Sequence, residues 1–104
     1  MSDVSPESWL TQEAEDLLDQ GNVGLYQLIW GLRGASFGLS DEEAMQLSRR
    51  VVERLVRAGN AKIYALAWPG LDVVEGPLPV EILEDPKSWS EGESGPLTGL
   101  VPTD

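Results

Sequence analysis

The chain has 104 residues, with 18 Asp and Glu against 7 Lys and Arg, a formal net charge of −11, and neither cysteine nor histidine. That length suits one domain with one modest core, and the missing residue types exclude disulfides, thiol nucleophiles, imidazole bases, haem-ligating histidines and Cys/His zinc sites. No apolar run approaches the roughly 20 residues that span a bilayer, and the start, Met1 to Glu7, lacks the basic and apolar stretches of a secretory signal, so a cytoplasmic chain is expected.

The charge is unevenly distributed. Residues 1–32 carry Asp3, Glu7, Glu13, Glu15, Asp16 and Asp19 and no base. Residues 33–62 carry six bases (Arg33, Arg49, Arg50, Arg54, Arg57, Lys62) against four acids, and residues 63–104 carry eight acids against Lys87 alone. Two acidic flanks of −6 and −7 therefore enclose a middle segment of +2.

Ser5-Pro6 is a helix start, with Ser as N-cap and Pro at the first helical position. From Glu7 to Gln20, Leu10, Ala14, Leu17 and Leu18 share one face and Glu13, Glu15, Asp16 and Asp19 the other. Gly21-Asn22 ends this helix and opens a second, Val23 to Arg33, apolar in almost every direction except a strip of Gly24, Gln27 and Gly31. Two glycines seven apart admit a close approach by another backbone, either a helix of the same chain or a partner. Trp30, in this most apolar segment, is expected in the core.

Ser40-Asp41-Glu42-Glu43 is a capping box that starts a third helix, Asp41 to Ala58, stopped by Gly59-Asn60. Ala44, Leu47, Val51, Leu55 and Ala58 centre its apolar face. Arg49, Arg50, Arg54 and Arg57 gather opposite, where Arg50–Glu53 and Glu53–Arg57 spacings suit intrahelical ion pairs.

Ala61 to Trp68 reads as a strand, Pro69-Gly70 as a turn, and Leu71 to Glu75 as a returning strand, with Pro77 and Pro79 barring further pairing. Pro79–Leu83 and Asp85–Trp89 read as short helical turns. Residues 90–104, with three Gly, two Pro and three acids, read as a flexible acidic tail outside a domain of residues 1–89.

The stretch Val52 to Tyr64, a basic helix passing through Gly59 into a strand, resembles the end of a winged-helix recognition helix entering its wing. The resemblance spans about residues 8–76. The expected fold is α+β, three helices followed by a β-hairpin. The connection between the second and third helices, about six residues, is longer than a helix-turn-helix turn. Domains of this kind bind DNA or other proteins.

Carboxylates are the only ordinary acid–base groups, and those on the first helix lie opposite its apolar stripe. No phosphate-cradling loop, calcium loop or dinucleotide fingerprint occurs. No catalytic, cofactor or metal residue is assigned. The expected function is a non-catalytic intracellular accessory or regulatory protein that binds another protein, with an acidic inhibitor or immunity-type protein as one form of it. Its partner-contact candidates are Gly24, Gln27, Gly31, Trp68 and Trp89, and homodimerisation stays open. The alternative is a DNA-binding regulator that uses Arg49, Arg50, Arg54 and Arg57, against which the overall charge and the interleaved Glu43 and Glu53 count. Trp89 has a second reading, as a cap on the core.

Overall fold

The computed structural model of the chain describes residues 5–35, 37–67, 70–89 and 96–103. Helix α1 (Pro6–Gln20) begins where Ser5 accepts a hydrogen bond from the Ser8 N–H at 3.1 Å, and it buries Leu10, Ala14 and Leu18. Strand β1 (Val23–Gly24) and helix α2 (Leu25–Gly34) follow, then helix α3 (Asp41–Arg57) and strands β2 (Ala61–Ala67) and β3 (Asp72–Glu75). Two 3-10 turns, Val80–Glu84 and Pro86–Trp89, lead to strand β4 (Leu97–Pro102).

Helix α3 is closed at both ends by local chemistry. Ser40 and Glu43 exchange the two bonds of a capping box, at 3.1 and 2.9 Å. At the other end Gly59, at φ +82°, lets its own N–H reach the Val56 carbonyl and the Asn60 N–H reach that of Leu55. Those two bonds form a Schellman termination, which a left-handed glycine makes without steric cost. The buried side chains of α3 are Ala44, Ser48, Val51, Val52 and Leu55. The apolar face is thus turned towards Ser48, and Leu47 is only half-buried.

The four strands form one antiparallel sheet in the order β1-β4-β2-β3. The expected hairpin is present as β2 and β3, joined through Ala65↔Glu75, Leu66↔Val73 and Ala67↔Asp72 with a bulge between Ala65 and Leu66. Beyond it lie two strands that the local sequence pattern does not announce. Val23 and Gly24, expected in the second helix, pair with Leu100 and Gly99. Leu97–Pro102, expected in a flexible tail, pairs with residues 61–66 of β2. The physical reason is that β4 lies between two strands with both faces covered, so Leu97, Leu100 and Val101 show no polar–apolar alternation. The acids of that region stand at Glu91, Glu93 and Asp104; residues 90–95 and Asp104 lie outside the described residues.

Strand alternation separates two cores. Val23, Leu100, Ala61 and Ile63 face the three helices, in one cluster with Leu10, Leu28, Val51, Val52, Leu83 and Trp89. On the other face Leu97, Leu66 and Val73 are cross-strand neighbours in a row, and Tyr26 from the first turn of α2 packs with Leu66 and Leu97. A Cβ at Gly99 would strike both the Leu66 side chain and the Val23 carbonyl oxygen. Asn22 donates to the Leu71 carbonyl at 2.8 Å, tying the α1–β1 turn to the start of β3.

Two substitutions test this packing by urea denaturation. Gly99→Ala should destabilise the fold by about 2 kcal/mol, because the Val23 carbonyl is backbone and cannot move aside as a side-chain tip can. Ser48→Ala should stabilise it by about 1 kcal/mol, since the fully buried Ser48 hydroxyl has no hydrogen-bond partner and alanine removes that desolvation cost.

Candidate functional site

Three of the four candidate arginines, Arg50, Arg54 and Arg57, lie on the exposed side of α3. Glu7, in the first turn of α1, bridges two of them: one carboxylate oxygen meets Arg50 at 3.0 Å and the other meets Arg54 at 3.0 Å. Arg54 also reaches the Thr11 hydroxyl at 3.4 Å. Arg57 pairs with Glu53 at 2.8 Å, as its spacing predicts. The Arg50–Glu53 pair expected from spacing gives way to the contact with Glu7, because α1 packs alongside α3 and brings the carboxylate to Arg50 from outside the helix.

Arg49 stands apart from the other three. It lines a shallow cleft with Glu53, Arg57, Val80, Glu81 and Glu84, and its Nε is buried without a hydrogen-bond partner. Carboxylates thus pair with the guanidinium groups of Arg50, Arg54 and Arg57. The hydrogen bond from Arg50 is the largest influence on the Glu7 carboxyl and, with the charge and hydrogen bond of Arg54, holds it below its ordinary value of 4.5 although desolvation opposes them. The Glu43 carboxyl is also lowered, first by the Ser40 backbone N–H and then by its hydroxyl. It serves the helix cap and does not touch the arginines.

The partner-contact candidates are not brought together as one surface. Gly24 belongs to β1, not to a helix, and a Cβ there would lie 2.6 Å from the Tyr26 ring. The Gln27 side chain turns back to accept from the Gly24 N–H at 2.8 Å. Gly31 faces Trp9, whose ring would stand 3.5 Å from a Cβ at that position. The notch in α2 is therefore filled from within the chain. Trp89 is only 5 % exposed and donates its indole N–H to the Leu83 carbonyl at 2.9 Å, so the ring caps the core and is no surface anchor. Trp68 lies outside the described residues.

Among the described residues, the exposed large apolar side chains are three that were not chosen from the sequence as contacts. Trp30 is 51 % exposed, contrary to the expectation of a core position, and its ring meets that of Tyr26 edge-on at 5.2 Å. An all-round apolar helix suggests full burial, but α2 packs with its neighbours through Leu25, Tyr26, Leu28, Ile29 and Leu32, and the direction of Trp30 is left over. Val73 and Val74 are 50 % and 54 % exposed on β3, an outer strand of the sheet. Their signal in the sequence is Asp-Val-Val-Glu, a short apolar pair with acids at both ends, shortly before Pro77 and Pro79. Among the described residues no helix is long and apolar enough to cross a membrane.

The bridge at Glu7 sets a pH dependence. Because its folded value is lowered, its contribution to stability is fully present above about 4.5 and is lost as pH falls through the lower folded value. A carbon-detected NMR titration of the Glu7 carboxyl should show a midpoint below 4.5, moving upwards in the Arg50→Gln/Arg54→Gln double variant. An unmoved midpoint in the double variant would show that the bridge does not form. Comparison of the chain with protein-family models, curated proteins and solved structures gives no match.

Proposed function

We propose that the chain is a non-catalytic intracellular accessory or regulatory protein that binds another protein. The observation that carries this reading is the exposure of Trp30, Val73 and Val74 on a body of net charge −11. Half-exposed aromatic and aliphatic side chains lose water-contacting area on association, and tryptophan is enriched among the residues that dominate binding energies. An acidic body adds attraction towards a basic partner and speeds encounter with it, which is how an inhibitor or immunity-type protein would mask a basic target.

The same geometry weighs on the nucleic-acid alternative. A duplex at α3 would have to take Arg50 and Arg54 from Glu7 and Arg57 from Glu53, and would bring its phosphates against those carboxylates. The three helices and the hairpin support the winged-helix resemblance, with β1 and β4 as additions to it. That architecture serves protein recognition as well as DNA binding.

Affinity purification from the native host, in parallel with a duplex titration at about 20 mM salt, separates the two readings. The expected result is one protein that co-elutes stoichiometrically with the wild type and with the Arg50→Glu/Arg54→Glu double variant, and no duplex binding. Duplex binding that weakens about tenfold or more in that double variant, without a protein partner, would overturn the proposal.

A further inference from the structure

Strand β3 is one of the two outer strands of the sheet, and among the described residues no strand pairs with its free edge. Such an edge presents N–H and C=O groups to any extended segment that can align with it. What selects the segment is the row of side chains. Asp72, Val73, Val74 and Glu75 are all exposed, so an apolar pair is bracketed by two carboxylates. The bulge against β2 places two residues of β3 opposite one of its neighbour, and both valines stand half in water. Val73 also closes the row Leu97–Leu66–Val73, so a strand added at this edge would continue an apolar line that already crosses the sheet.

A second copy of the chain fits this edge poorly. Antiparallel self-pairing with full overlap sets Asp72 of each copy opposite Glu75 of the other, two acid–acid pairs between bodies of −11 each, and like charges directly opposite are destabilising. A segment with a basic residue at each end of an apolar pair reverses the charge term, bringing cations to the end of the strand that carries each carboxylate and apolar side chains beside the valines.

We infer that the β3 edge is a docking site for an extended segment of a partner protein, added as an antiparallel strand, with two apolar residues flanked by Lys or Arg. This deepens the protein-binding reading and rests on it. The acids at Asp72 and Glu75 then act twice, keeping copies of the chain apart and selecting a partner of opposite charge.

The test uses the full chain, ¹⁵N-labelled, and three end-blocked hexapeptides: Thr-Lys-Val-Val-Lys-Thr, the same peptide N-methylated at alternate amides, and Thr-Glu-Val-Val-Glu-Thr. The expected result is that the first peptide shifts the amide signals of Asp72 to Glu75 and slows their hydrogen exchange. The N-methylated and acidic peptides should bind at least about tenfold more weakly, because one lacks the ladder donors and the other the charge match. The Asp72→Lys/Glu75→Lys variant, folded by its unchanged α3 signals, should exchange the preference between the basic and acidic peptides. Equal binding of the basic and acidic peptides, shifts confined to the Trp30 indole, no response to any peptide at millimolar concentration, or concentration-dependent dimer shifts at residues 72–75 in the free chain would each overturn the inference. Co-elution of a native partner that is unaffected by the Asp72→Lys/Glu75→Lys change would overturn it too, while leaving the protein-binding reading in place.

Discussion

Everything in this molecule depends on β4 entering the middle of the sheet. Its six residues pair with β2 on one side and hold β1 on the other. Among the described residues the two-residue β1 pairs with no other strand, and it fixes where α2 begins. Leu100 faces the helical core, while Leu97 joins Tyr26 and Leu66 on the opposite face. Gly99 lies between them because any larger residue would meet backbone. Just beyond β4, the Thr103 N–H bonds to the Asn60 carbonyl and the Thr103 hydroxyl donates to that of Gly59. The strand is thereby fastened to the end of α3 as well as to the sheet.

The charges form a second level of organisation on that frame. Taken along the chain, the arginines of α3 read as a basic island between acidic flanks. In space Glu7 crosses from the acidic flank and occupies two of them, and Arg33 at the end of α2 meets Asp41 at the start of α3 at 3.2 Å. Exposed pairs of this kind add little to stability one by one. Their larger effect is on what the surface offers, since bridged guanidinium groups present a weaker field to an approaching phosphate than free ones. The acids outside these pairs keep the body strongly negative.

Local signals in the sequence are reliable where the structure is made locally. Ser5-Pro6, the Ser40–Glu43 box and Gly59-Asn60 locate three helix ends, and the β2–β3 hairpin follows from alternation and the turn signal between its strands. The expectations that fail share one cause: the partner is distant in the chain. Leu97–Pro102 has a composition close to that of a loop and becomes a strand only because β1 and β2 flank it. Val23-Gly24 continues a helical pattern until β4 claims it. The exposure of Trp30 and the diversion of Arg50 to Glu7 depend on where neighbouring elements lie, which no periodicity within α2 or α3 encodes. The exposed site at β3 is half legible. Its residues belong to a strand on sequence grounds alone, but its position at the sheet edge requires knowing that β4, not β3, is central.

The position of β4 in the chain after β1 and β2, the strands it joins, has a consequence for biogenesis. As the polypeptide leaves the ribosome, α1 to α3 and the β2–β3 hairpin emerge while the centre of the sheet is still unmade. During that interval β2 exposes the edge that β4 will fill, and the helical core lacks Leu100. Nascent chains of this protein would therefore be vulnerable to improper strand pairing for as long as translation takes to deliver residues 97–102, and a pause before that point would lengthen their exposure to chaperones or to one another.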